Sequence, residues 1–94
     1  MSEIDFEALG RCHHLKGKIN DTCHKRDGAF RDIKNKYHAG SNPFDAVYEI
    51  DMAFFHQKFK ELDEANTELT ILVNEYNQWA GKAGERPIRW IKSN

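Results

Sequence analysis

Both cysteines of the chain and three of its five histidines lie within thirteen positions near the N-terminus, in the stretch "CHHLKGKINDTCH" at residues 12–24. Thiolate and imidazole are the usual protein ligands of structural zinc. A cysteine with a neighbouring histidine can also act as a nucleophile with its base. The first question is therefore whether this segment binds a metal or catalyses a reaction.

Helical spacing argues against a metal site. If residues 12–24 are helical, Cys12 and Cys23 lie about 16 Å apart along the axis, so one zinc ion cannot bind both. His38 and His56 are unpaired in the second half of the chain, where a Cys/His zinc site would need a second pair of ligands. We expect no metal and no cofactor, with Cys23 a small core residue and the histidines on polar or boundary faces.

The segment also gives little support for catalysis. A cysteine nucleophile needs a base and an orienting group held together in a cleft, and a small helical domain offers little concavity. The sequence contains no glycine-rich phosphate loop, no Walker-type lysine and no GxSxG motif. We expect that the protein is not an enzyme.

The elements that position these residues are separated by the stretch "HAGSNPFDA" at residues 38–46. Gly40 suits a left-handed helix stop, and Asn42 is a good N-cap. Pro43 fits the first position of a helix, and Asp45 would lie in the first turn, where the helix dipole favours negative charge. The sequence predicts that one helix ends here and another begins.

The second helix is predicted from Pro43 to about Ala80, a stretch with no glycine or proline after its start. Its apolar residues recur with the seven-residue period of a coiled coil, with Lys58 the only misfit, and Ala65, Phe59 and Val73 complete the stripe. We call its large members the seam, and expect them to form the core and to mediate self-association. The seam consists of Phe55, Leu62, Leu69, Leu72, Tyr76 and Trp79.

The first arm, residues 3–38, is also helical in period. Its predicted inner face holds the apolar residues Ile4, Phe6, Leu9, Leu15, Ile19, Cys23, Phe30, Ile33 and Tyr37. Glycines weaken this arm, and the Asp27–Gly28 pair can form a turn, so it is either one helix or two that meet near residue 27. Two long helices joined by a short turn return antiparallel. The predicted fold class is all-α, an antiparallel helical hairpin over residues 1–80 with a short basic tail over 81–94.

The net charge of −1 hides an uneven distribution. Residues 1–38 hold eight Lys/Arg and six Asp/Glu (+2), residues 39–80 hold two and eight (−6), and residues 81–94 hold four and one (+3). We expect the basic first arm to lie beside the acidic second arm. The predicted partner-binding surface on the second helix consists of Asp45, Glu49, Asp51, Glu61, Asp63, Glu64 and Glu68.

Nucleic-acid binding is an alternative that rests on the basic first arm and the tail. Basic side chains beside an aromatic ring can hold phosphates and stack on bases. The candidate tail residues are Arg86, Arg89, Trp90 and Lys92. A sequence isoelectric point near 6.5 is far from that of a typical nucleic-acid-binding domain, so we expect at most a weak, salt-sensitive contact.

The chain carries no sign of membrane insertion or export. No run of apolar residues approaches the roughly 18 needed to span a bilayer, and the N-terminal "MSEIDFEALG" is acidic where a signal peptide is basic. We expect a cytoplasmic protein with reduced cysteines.

The stretches "SEIDFEALG" and "SNPFDAVYEIDMA" resemble the small early-region proteins of lambdoid phages. Within that group the chain is similar to the anti-RecBCD recombination accessory proteins of P22-like phages, which are also short, soluble and mixed in charge. The resemblance implies a non-enzymatic modulator of a host DNA-repair nuclease or repair complex, and it assigns no functional residue.

Together these features predict a protein–protein interaction module that forms homo-oligomers. The sequence leaves two alternatives open: an accessory protein that associates with nucleic acid, and a self-assembling structural hairpin. It does not identify the partner.

Overall fold

The structure, a computed structural model, describes residues 5–36 and 44–92. Within these residues the chain forms two α-helices, α1 (Phe6–Lys36) and α2 (Met52–Ala83). They run antiparallel: the amide of Asp5 donates to the carbonyl of Lys82 at one end, and Asp32 pairs with Lys58 near the other. The molecule is a rod of 74 × 22 × 15 Å. The predicted all-α hairpin is confirmed.

The first helix begins at an aspartate cap and continues without a break. The carboxylate of Asp5 accepts a hydrogen bond from the amide of Ala8 at 3.1 Å, which satisfies one of the free N–H groups of the first turn. The helix passes through Asp27 and Gly28 to Lys36. Of the two alternatives for the first arm, the single helix is therefore correct.

The second helix begins nine residues later than the sequence predicted. Its N-cap is Asp51, whose carboxylate accepts from the amide of Phe54 at 3.1 Å. Residues 44–51 form a turn and an irregular segment, which we call the connector. The prediction of a helix from Pro43, with Asp45 in its first turn, is wrong for the described residues; Gly40, Asn42 and Pro43 lie outside them. Val47, Tyr48 and Ile50 are branched or aromatic and favour extended backbone over helix.

The C-terminus of α2 lies three residues beyond the predicted end. The helix continues through Gly81 and ends where Gly84 adopts a left-handed conformation with φ of 71°. The amide of Glu85 donates to the carbonyl of Ala80 at 2.9 Å, and that of Gly84 to Gly81 at 3.4 Å. This pair of hydrogen bonds is a Schellman motif, which stops a helix and turns the chain.

The core of the hairpin lies near the chain termini, where both helices contribute. From α1, Ala8, Cys12 and Leu15 pack on the seam residues Leu72 and Tyr76 of α2. Leu69 is also buried, and Leu62 and Trp79 are half-buried. The seam thus forms the core between the two helices of one chain, and its role in self-association stays a prediction.

The first arm buries a set of residues that only partly overlaps the predicted one. Leu15 is buried as predicted, and Leu9 and Ile19 pack partly buried against the core. Small side chains take the other inner positions: Ala8, Cys12, Thr22 and Ala29. Small residues there allow the two helices to approach closely. Phe6 and Phe30, predicted on this face, are exposed. Cys23, expected in the core, is half-buried. Ile4 and Tyr37 lie outside the described residues.

The C-terminal tail folds back on the hairpin. The side-chain amide of Asn77 donates to the carbonyl of Ile88 at 2.9 Å and accepts from its amide at 2.8 Å. Ile88 packs against the core, and Glu85 lies 3.5 Å from the ammonium of Lys16. Ile88 is the apolar anchor of the tail, whereas Trp90 remains 41% exposed.

Candidate functional site

The predicted acidic surface is divided between two elements. Asp45 and Glu49 lie in the connector, and Asp51 is occupied as the cap of α2. The other four residues are on α2. The expectation of one continuous acidic helix from Asp45 onward is therefore wrong, because α2 begins only at Met52.

Three of the four α2 carboxylates share one side of the helix. Glu61, Glu64 and Glu68 are spaced by three and four residues and line a groove of about 440 Å³, with Lys25 of α1 on its other bank. Asp63 is two residues from Glu61 and points away from this groove. Glu75 continues the row of Glu61, Glu64 and Glu68 seven residues, or about two helical turns, beyond Glu68. We call these four residues the acidic row.

One member of the acidic row is neutralised locally. Lys58 lies 3.1 Å from Asp32 and 3.2 Å from Glu61, and hydrogen bonds to Asp32 first and Glu61 second raise the pKa of Lys58. Among the described residues, no ion pair involves Glu64, Glu68 or Glu75. These three carboxylates are exposed and available to a partner.

Charge pairing between the helices differs from the prediction. The ion pair that joins α1 to α2 within the described ranges has its cation, Lys58, on the acidic helix and its anion, Asp32, on the basic one. Lys25 lines the groove of Glu64 and Glu68 without forming an ion pair there. Lys58, the misfit in the heptad, places its ammonium over the ring of Phe54, 5.5 Å from the ring centroid, in addition to its ion pairs.

The cysteines and histidines of residues 12–24 are spread along α1 rather than gathered at one point. Cys12 is 1% exposed, whereas His13, His14 and His24 are exposed. Over residues 5–36 and 44–92, no three His, Cys, Asp or Glu side chains come together in a way that could hold a metal ion. Burial, and then the charge of Glu85, raises the pKa of the Cys12 thiol, which keeps it protonated and unreactive.

The predicted tail residues contribute to a larger groove on the side of the hairpin away from the acidic row. Arg89, Trp90 and Lys92 line a cavity of about 880 Å³ together with both helices. We call it the tail groove; Arg86 is not part of its lining. Sequence reasoning missed the contribution of α1, since Ile19 and Cys23 meet the tail only through the return at Gly84.

Basic side chains of the first arm are partly used inside the molecule. The guanidinium of Arg11 stacks over the ring of Trp79 at 4.6 Å, and the ammonium of Lys82 lies 5.4 Å from it. Lys16 lies over Tyr76. These cation–π contacts stabilise the end of the hairpin opposite the connector, which we call the open end. They also leave less positive charge for nucleic acid.

The connector is the second feature that sequence reasoning missed. Val47 is 82% exposed, and Tyr48 and Ile50 are also largely exposed. Asp45 precedes these apolar residues, and Glu49 lies between Tyr48 and Ile50. The connector was missed because the sequence predicted a helix there. The branched and aromatic residues of the connector nevertheless indicate extended backbone.

Neither described helix contains an apolar stretch that could cross a membrane. Comparison with protein-family models, curated proteins and solved structures found no match to this chain.

Proposed function

We propose that this chain is a non-enzymatic protein–protein interaction module that modulates a host DNA-processing or repair complex through the acidic row of α2. The observation that carries the proposal is the exposed set Glu64, Glu68 and Glu75 on one side of a single helix. From Glu61 to Glu75 the row covers fourteen helical steps, or about 21 Å.

The chemistry of such a row suits a channel that normally holds nucleic acid. Proteins that process DNA bind its phosphates with clusters of Lys and Arg, and those clusters attract any rigid array of negative charges. The hairpin presents its carboxylates on a rod only 22 × 15 Å in cross-section. A rod of this shape can enter an elongated basic channel and compete with DNA for it.

The sequence resemblance to anti-RecBCD accessory proteins of lambdoid phages favours a host nuclease complex as this partner. The interaction requires no catalytic group on the hairpin, because occupancy of the channel is enough.

The test is affinity capture of the tagged protein from a nuclease-treated bacterial lysate. We expect recovery of one DNA-processing complex that duplex DNA displaces. The variant Glu64→Gln/Glu68→Gln/Glu75→Gln should lose most of this capture, because the shape remains and the charge is removed. The matched control is Asp21→Asn/Asp63→Asn, which also removes exposed carboxylates, one from each helix but none from the acidic row.

Two results would contradict the proposal. One is equal capture by the acidic-row variant and the wild type. The other is retention of DNA by the purified chain itself, lost when the basic tail residues are changed, which would favour the nucleic-acid alternative.

A further inference from the structure

The connector combines apolar and acidic side chains in a segment held away from the core. Residues 44–51 contain three acidic residues and no basic ones. Val47, Tyr48 and Ile50 are exposed to solvent, with Glu49 between Tyr48 and Ile50 and Asp45 two positions before Val47. Exposed apolar side chains grouped in this way mark an interaction segment.

The tail groove has the complementary composition. Its floor is apolar, with Ile19 and Cys23 from α1 and Val73 from α2. Arg89 and Lys92 of the tail form its basic rim, and among the described residues that line it none is acidic. Both rim side chains are exposed, and neither forms an ion pair within the described parts of the chain.

We propose that the connector of one copy of this chain docks in the tail groove of a second copy. Val47 and Ile50 would cover the apolar floor, while Asp45 and Glu49 would meet the basic rim. This assigns self-association to a surface distinct from the seam, most of which (Phe55, Leu69, Leu72 and Tyr76) is buried within each copy. The proposal is independent of the acidic row and of any host partner.

The dimensions of the two surfaces agree. The α1 side of the groove extends from Ile19 to Arg26, seven helical steps or about 10 Å. An extended segment of four or five residues is about 13–17 Å long, so residues 46–50 suffice to follow the groove. The rest of the connector then returns to the cap of α2.

The connector is too short to place Val47 in the tail groove of its own chain. Met52, where the connector joins α2, lies fourteen helical steps, or about 21 Å, from Asn66 at the near end of the groove. The five residues from Val47 to Met52 extend at most about 17 Å. Val47 of the same copy therefore falls about 4 Å short of the groove. The occupant is the connector of another molecule.

Charge exchange tests the pairing. In sedimentation velocity, wild-type protein should self-associate with an affinity that falls as salt is raised. Asp45→Lys/Glu49→Lys and Arg89→Glu/Lys92→Glu should each weaken self-association about tenfold or more, because each places like charges together. An equimolar mixture of the two variants should recover the affinity, since the reversed connector fits the reversed rim.

Control variants change the charge by the same amount elsewhere. Asp21→Lys/Asp63→Lys and Lys18→Glu/Lys60→Glu alter exposed residues outside the tail groove. They should self-associate as the wild type does, and so should the acidic-row variant Glu64→Gln/Glu68→Gln/Glu75→Gln. Circular dichroism establishes that each variant keeps its helix content.

Disulfide trapping tests the location, because the native Cys23 lies in the groove. In Val47→Cys protein, mild oxidation should give a covalent dimer joined through residues 47 and 23. The dimer should be absent from Val47→Cys/Cys23→Ser and from Gln78→Cys, which places a thiol on the exposed side of α2.

Several outcomes overturn the proposal. A strictly monomeric wild type at the highest soluble concentration does so, as does a disulfide formed within one chain. If the equimolar mixture of the two charge-reversed variants does not regain the wild-type affinity of self-association, the charge pairing is excluded. Salt-sensitive binding of single-stranded DNA that requires Arg89 and Lys92, without self-association, assigns the groove to nucleic acid instead.

Discussion

At the scale of single residues, the two cysteines of α1 differ in burial although they lie near the same side of the helix. Eleven residues correspond to slightly more than three turns, so Cys12 and Cys23 lie near the same side of α1. Cys12 meets the core beside Leu15, whereas Cys23 lines the tail groove. Sequence spacing places both cysteines near one side of a helix and too far apart along its axis to bind one zinc ion. Which cysteine is buried depends on the crossing of α2 and the return of the tail.

The two thiols should therefore react at different rates. In the native protein an alkylating reagent should modify Cys23 quickly and Cys12 only after unfolding, because Cys12 is covered by packed side chains. Peptide mass mapping after a short exposure measures the two rates. Equal rates would show that the open end of the hairpin frays on the timescale of the reaction.

Alkaline pH should also destabilise the fold through Cys12. Its pKa is raised in the folded state, so above the ordinary value of about 8.5 the unfolded chain loses this proton first, and the free energy of unfolding decreases as pH rises. Below that value both states are protonated and Cys12 has no effect. In Cys12→Ala the loss between pH 8 and 10 should be smaller. The stability that is still lost at higher pH comes from groups such as Lys58. Its hydrogen bonds to Asp32 and Glu61 raise its pKa in the folded state, and they stabilise the fold only while the lysine is charged.

At the scale of elements, the helix interiors were predictable and their ends were not. The seven-residue period identified α2, and the three-to-four-residue spacing identified α1. The N-cap was assigned to Asn42 because it precedes a proline, but Asp51 also has a capping side chain, and Phe55 four residues later is buried. Two good caps nine residues apart cannot be ranked without knowing where the partner helix begins to offer contacts.

The end of α2 gives a matched pair of glycine substitutions. Gly81→Ala should increase the free energy of unfolding by about 0.5–1 kcal/mol, because Gly81 is helical and an added methyl group meets open space. Gly84→Ala should decrease it by about 1–2 kcal/mol, because residue 84 has φ of 71°. Thermal and urea denaturation measure both.

The opposite signs distinguish this explanation from a general preference for alanine. Similar stabilisation by both substitutions would mean that residue 84 does not hold the left-handed conformation in solution. Release of the tail in Gly84→Ala should also be visible as loss of the Ile88 contact with Asn77, for example in the amide proton shift of Ile88.

At the scale of the whole molecule, the hairpin is one cooperative unit because its two helices share one core. The antiparallel return and the role of the seam could be predicted from periodicity. The position of the tail could not, because it depends on two hydrogen bonds between Asn77 and a residue eleven positions away. The same holds for the tail groove, which exists only once three segments are assembled.

Removal of one core side chain should consequently destabilise both helices together. Leu69→Ala should lower the free energy of unfolding by about 2–5 kcal/mol, since Leu69 is buried and leaves a cavity. Ile71→Ala is the matched control: Ile71 is exposed on the same helix, and its effect should stay within about 0.5 kcal/mol.

The check is whether far-ultraviolet circular dichroism and tryptophan fluorescence report a single transition in both variants. Trp79 reports the open end of the hairpin, and circular dichroism reports all the helix. Separate transitions in Leu69→Ala would show that the helices unfold independently, contrary to a shared core.

The contact between Asp5 and Lys82 has a consequence for synthesis on the ribosome. The N-terminal helix buries Ala8, Cys12 and Leu15 only against residues 72–83, which are translated more than fifty residues later. At about 5–20 residues per second, the nascent N-terminal arm waits several seconds for its partner helix. An arm that contains three glycines holds little helix alone, so the hairpin closes only once residues 72–83 have left the exit tunnel.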